Sequence, residues 1–184
     1  EDGYLRWMVA REWPGNCIAV RGKDAVPVQA WTHVVVTYDG SSRANGLKIF
    51  LNGSEAPLEI VRDQLTKNSG SGKGFFFGER TRDSGLRGGA VDDIRLFTRA
   101  VSALEVRALH ENKPLAEVIA ATPRDPAGLT DLRSCYFSAV DPELRKQTAD
   151  LRQLRADLRT TMDGVQELPV MKEMAEERPV RILA

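Results

Sequence analysis

Cysteine and histidine are scarce in this chain of 184 residues, with two of each. Cys17 and Cys135 are too few for a disulfide framework or a four-ligand zinc site, and no Cys-x-x-Cys-His is present, so no haem is expected. An excess of one charge is also missing. The 26 basic residues face 26 acidic ones, giving a formal net charge of zero. That balance excludes a protein that finds nucleic acid through a phosphate-neutralising field. No apolar run approaches the ~18 residues of a membrane-spanning helix, so no membrane span is expected.

What is present is unevenly spread. Of the 15 glycines, 13 precede residue 113, and so do 10 of the 12 aromatic residues. Turn formers and flat rings concentrate where strands are expected; Leu, Ala, Arg, Asp and Glu fill the remainder, as helices prefer. Strands are predicted at 4–9, 17–21, 31–38, 47–51, 58–61, 75–77 and 90–97. The run WTHVVVTY over 31–38 reads as buried on both faces, and Asn52-Gly53 reads as a two-residue hairpin turn. Ser102, three residues before Glu105, predicts a capped helix with Leu104 and Ala108 inward, ended by Pro114. Beyond a linker over 122–126, a helix is expected over 129–139. A longer one starts at Asp141-Pro142 and stops at Gly164. Leu144, Leu151 and Leu158, with Leu154 between, form a stripe expected to pack on the β half or on a neighbouring domain.

Several familiar chemistries fail on spacing. The stretch NSGSGKG over 68–74 lacks the glycine and the Ser/Thr of a phosphate loop. Glu55, Glu59 and Asp63 are four apart, which scatters them along an extended chain instead of pairing two hydrolytic carboxylates. His33 reads as a hydrogen-bonded core residue and His110 as a cation near a helix C-terminus. More promising are Trp13, Pro14 and Asn16. Trp13 either packs under its own loop or stacks on a sugar ring while Asn16 supplies hydrogen bonds. Arg80, Arg82 and Arg87, after FFFG, either sit in a solvated loop or clasp an anionic glycan. A Cys17–Cys135 disulfide stays open, since sequence cannot judge that geometry.

The segments WTHVVVTYDGSS (31–42), LKIFLNG (47–53) and GGAVDDIRLFTRAVSALEVRALH (88–110) resemble the laminin G-like domain of the concanavalin A-like lectin/glucanase superfamily. REWPGNCIAV, DGSSRANG and the tail LPVMKEMAEERPVRILA are similar to a narrower group, planctomycete-type multidomain proteins. There such a domain lies between domains of unknown function, often with a cytochrome c-like domain upstream. The resemblance implies a mainly β fold: an antiparallel β-sandwich of the concanavalin A-like jelly-roll type, N-terminally incomplete, over residues 1–112. A helical C-terminal extension over 113–184 would lead into a further domain. It also implies that Asp92, opening the DDIRLF strand, takes the place of a structural calcium ligand; the alternative is an aspartate bonded to local backbone.

With the Glu-x-Asp-x-x-Glu catalytic strand of the superfamily's glucanases absent, the expectation is a non-catalytic carbohydrate-binding module, and the resemblance implies a periplasmic or extracellular parent protein. Its expected ligand residues are Trp13, Asn16, Arg80 and Arg82, its partners a polysaccharide and neighbouring domains. The alternative is an interdomain scaffold without a glycan. A solvent-facing Trp13 beside Arg80 or Arg82 favours the first. A buried Trp13 with an uncovered leucine stripe favours the second.

Overall fold

The protein is described from a computed structural model covering residues 3–70 and 88–166. The predicted strand at 75–77, Arg80, Arg82, Arg87 and the tail from 167 lie outside the described residues. Among the described residues, six strands form two antiparallel sheets: β1 (Tyr4–Glu12), β2 (Asn16–Ala25), β3 (Val34–Tyr38), β4 (Leu47–Leu51), β5 (Ser54–Glu55) and β6 (Leu58–Asp63). Sheet A has the order β1-β2-β6 and sheet B the order β3-β4-β5. Four helices follow: α1 (Ala103–Glu111), α2 (Leu115–Ala121), α3 (Pro126–Ala139) and α4 (Pro142–Asp163).

Alternation within the strands decides which side chains meet. Ile18 and Val20 of β2 pack against Leu47 and Ile49 of β4, with Ala44 and Leu65 closing the cluster. Trp7 adds to this core, and its Nε1–H donates to the Thr37 carbonyl across the sheets at 3.1 Å. Phe50 points to the opposite side of β4 and meets Val101 and Val106, so α1 covers the back of sheet B. A third cluster joins Leu104 and Ala108 of α1 to Val118 of α2 and Cys135 of α3.

Local signals were well obeyed. Asn52 and Gly53 carry φ of 48° and 84°, the doubly positive turn expected there, with Leu51 opposite Ser54. Ser102 accepts from the Glu105 N–H while the Glu105 carboxylate accepts from the Ser102 N–H, a complete capping box. Asp141 caps α4 by accepting from Leu144 N at 2.8 Å, and Gly164 ends the helix.

Three expectations are corrected, and one helix was not expected. Residues 90–97 form no strand: Asp93 has φ of 49°, which breaks an extended run, and Ile94, Leu96 and Phe97 stay exposed. The strand predicted over 31–38 begins at Val34 and is not buried on both faces. Among the described residues it is an edge of sheet B, with Trp31 73 % exposed before it. Helix α2 was not foreseen, because seven residues are too few for a periodic pattern. The leucine stripe does not pack on the β half: Leu151, Leu154 and Leu158 face solvent, open to a neighbouring domain. The side of α4 turned to the body carries arginines instead. Arg152 donates to the Thr98 carbonyl and Arg155 to that of Asp39, at 3.5 and 3.4 Å. Loop carbonyls there present acceptors, which guanidiniums satisfy and leucines cannot.

Candidate functional site

The outer face of sheet A gathers aromatic rings and guanidinium groups. Leu5, Trp7 and Val9 of β1 turn inward to the core, so Arg6, Met8 and Ala10 point outward. Pairing places Arg6 opposite Arg21, Met8 opposite Ala19 and Ala10 opposite Cys17. On the other side of β2, Glu59 faces Arg21 and Arg62 faces Ala19. That last pair depends on a register shift between Ala19 and Val20, which brings Arg62 onto the outer face. Ala10, Cys17 and Ala19 form a floor of small residues; Cys17 and Ala19 have no exposed surface.

Trp13 lies in the β1–β2 turn, next to a cis Trp13–Pro14 peptide bond. The guanidinium carbons of Arg6 and Arg62 each lie 5.7 Å from its ring centroid, within cation–π reach, and the residue remains 44 % exposed. Arg21 lies over the Tyr4 ring at 4.2 Å and pairs with Glu59 at 3.6 Å. Arg62 also donates to the Val61 carbonyl at 3.0 Å. Among the described residues, neither Arg6 nor Arg62 has a carboxylate at salt-bridge distance. Burial raises the Cys17 thiol above its ordinary range, partly offset by the nearby Arg62 charge.

Of the two expected ligand residues that are described, Trp13 is exposed and Asn16 is not. Asn16 is corrected: it is buried, its Oδ1 accepts from the Thr66 and Lys67 N–H groups, and its Nδ2 donates to Thr66 Oγ1 at 2.8 Å. Its amide is fully engaged in fastening the chain after β6. Arg80 and Arg82 lie outside the described residues. The arginines that do flank Trp13, Arg6 and Arg62, were missed. Arg6 was visible as an outward position of β1, but Arg62 reaches the site only through the register shift. Cys17 and Cys135 are both free thiols, one on sheet A and one in α3.

Asp92 offers one carboxylate, and its Oδ1 accepts from the Asp93 N–H at 2.8 Å, while Asp93 grips Arg95 through both oxygens. Among the described residues, no three His, Cys, Asp or Glu side chains gather as a metal site. Calcium takes six to eight oxygens, so this arrangement alone does not fit it. The three carboxylates weighed for hydrolysis are each engaged: Glu55 with Lys48 at 2.8 Å, Glu59 with Arg21, and Asp63 with the Ala44 N–H at 2.8 Å.

A second concavity, of about 910 Å³, opens between β3, residues 92–99 and the ends of α1 and α4; Trp31, Val36, Phe97 and Arg159 are among its walls. His33 and His110 meet at its floor with ring centroids 5.4 Å apart. His33 Nδ1 is buried without a hydrogen-bond partner. Burial first, then the charges of His110 and Arg95, lower the affinity of His33 for a proton; Asp93 opposes them.

With this geometry in hand, the comparisons place the chain. The family model Laminin_G_3, described as the concanavalin A-like lectin/glucanases superfamily, matches residues 1–107. The chain belongs to this laminin G-like family. No curated protein matches. Among solved structures, the S-layer domain-containing protein (residues 221–444) of Clostridium thermocellum is similar at 18 % identity and a TM-score of 0.34. The match covers 60 % of this chain and 64 % of that one, less than two thirds of its length. No helix among the described residues is long and apolar enough to cross a membrane.

Proposed function

We propose that this chain is a non-catalytic carbohydrate-binding module of an extracytoplasmic protein, periplasmic or extracellular. Residues 1–112 act as a laminin G-like β-sandwich and residues 113–184 as a helical connector to neighbouring domains. The observation that carries this reading is Trp13: an aromatic ring 44 % exposed in the β1–β2 turn, with two guanidiniums within cation–π reach. A sugar ring presents an apolar face that an indole accepts and hydroxyls that charged donors can bind. The engagement of Glu55, Glu59 and Asp63 supports binding without hydrolysis.

The test is affinity electrophoresis of the chain through a panel of polysaccharides, with and without calcium. Retardation by at least one polysaccharide is expected, weakened about tenfold or more by Trp13→Ala, the scale of one lost stacking contact. Trp31→Ala, on another face, should leave it unchanged. Calcium dependence abolished by Asp92→Asn would support that residue as a ligand. A chain of intact circular dichroism that no polysaccharide retards would sink the proposal. A second reading, an interdomain scaffold without a glycan, is favoured by the uncovered leucines of α4. A blank panel would move the weight there.

A further inference from the structure

We infer that α4 pairs with α4 of a second copy of this chain, side by side and parallel, through the leucine stripe that the fold leaves open. This surface is separate from the Trp13 face and does not depend on the carbohydrate reading. Leu144, Leu151 and Leu158 recur every seven residues, and Gln147, Leu154 and Thr161 follow each of them by three. These are the two positions, a and d, that meet along the seam of a two-stranded coiled coil. Leu151, Leu154 and Leu158 are exposed. Arg152 and Arg155, which hold α4 to the body, lie on another side of the helix. At 3.6 residues per turn they centre about 100° from the leucines. A two-fold axis along the seam therefore sets the two bodies on opposite sides of the helix pair.

The polar residues of the stripe decide its partner and direction. In a parallel pair each layer meets its own copy. Leucine then meets leucine at 144, 151, 154 and 158, the Gln147 amides meet each other, and so do the Thr161 hydroxyls. In an antiparallel pair a meets d. When Leu151 meets Leu154, Leu158 covers Gln147 and Leu144 covers Thr161, which buries polar groups without partners. The flanking charges agree. Glu143, Asp150 and Asp157 occupy g positions, and Arg155 an e position. A parallel pair brings Asp150 to Arg155 of the second copy, five residues on, whereas an antiparallel pair sets acidic g against acidic g. Asp150 has no ion pair among the described residues, and Arg155 uses one of its five donors on the Asp39 carbonyl. A lipid surface fits this helix less well. It carries five basic and four acidic residues, where an interfacial helix is rich in Lys and Arg.

The experiment is sedimentation velocity of the full chain over about 5 to 500 μM, a range set by the weak pairing that three heptads with two polar layers can give. Twice the mass of one chain is expected at the top of the range, with a dissociation constant of about 50 μM. At the few micromolar of an unfolding measurement the chain stays single by mass action. Leu151→Glu together with Leu158→Glu should raise the constant by about tenfold or more. Both leucines are exposed, so this variant should keep its circular dichroism, and the concentration series tests the inference without any variant. Gln147→Cys should cross-link to a dimer under mild oxidation, because like positions of parallel helices come within disulfide reach. The buried Cys17 and Cys135 make the unsubstituted chain the blank. A chain that stays single throughout the range would overturn the inference. So would a dimer that the double variant leaves unchanged, since another surface would then hold it. Cross-linking only when Gln147→Cys is mixed with Leu158→Cys would overturn the parallel order. Pelleting with phosphatidylserine vesicles by a chain that never dimerises would overturn the pairing in favour of a lipid surface.

Discussion

Helices α1 and α4 obey the same rules at their ends and opposite rules along their sides. Both start at a capping side chain, Ser102 for α1 and Asp141 for α4. Yet α1 buries Leu104, Val106 and Ala108 within nine residues, whereas α4 buries none of its 22. The short helix would not survive alone, because nucleation is costly and isolated helices shorter than about 12–15 residues are marginal. It exists because one side fills the back of sheet B and another meets α2 and α3. The long helix rests on its own length, its caps and pairs such as Gln153 with Asp157 at 2.8 Å. It touches the body through arginines and through its end, where Asp163 accepts from the Asn68 N–H. Helical periodicity in the sequence therefore marks a stripe without saying whether anything covers it.

The largest effect that would sharpen this contrast is Leu104→Ala. It removes a fully buried side chain shared by three helices and should cost about 2–5 kcal/mol, read as a lower urea midpoint. A loss below about 1 kcal/mol would mean that α1 is not the keystone described.

A smaller effect concerns acid. His33 packs on His110 of α1, and its proton affinity is lowered in the fold, chiefly by burial. The unfolded chain binds that proton more readily, so the stability is present above the ordinary value of 6.5 and is lost as pH falls through the folded value. Urea midpoints measured downward from neutral pH should decline from about pH 6.5. In His33→Gln this part of the decline should be absent; an unchanged profile would remove His33 as its source.

The smallest effect belongs to α4. Leu154→Gln, at a position 66 % exposed, should change stability by no more than about 0.5 kcal/mol. A large loss would show that the stripe is covered in solution and would erase the difference between the helices.

These contrasts also show where the sequence was legible. Turn and cap chemistry is local, so Asn52-Gly53, Ser102 and Asp141 could be read directly. The strand expected at 90–97 had the right alternation, but alternation does not fix the backbone, and Asp93 takes a left-handed φ of 49° within it. The burial side of α4 depended on which loop carbonyls lay beneath it, a fact of tertiary placement. The candidate site was half visible. Trp13 announced itself by type and turn, whereas Asn16 was indistinguishable from a ligand residue until its partners 50 residues away were seen. Arg62 could not be found without knowing the strand register.

That long-range grip by Asn16 bears on how the chain is closed. Its side chain ties the start of β2 to Thr66 and Lys67, so all of sheet B lies inside the loop it fastens. A disulfide across a loop of about 50 residues would constrain the unfolded chain by about 4 kcal/mol. Three amide hydrogen bonds, each contributing about 1 kcal/mol net, act only once the fold has formed. The clasp leaves the unfolded chain unrestricted and is indifferent to oxidant or reductant. With Cys17 and Cys135 both buried as thiols, the β half keeps its closure in either redox setting.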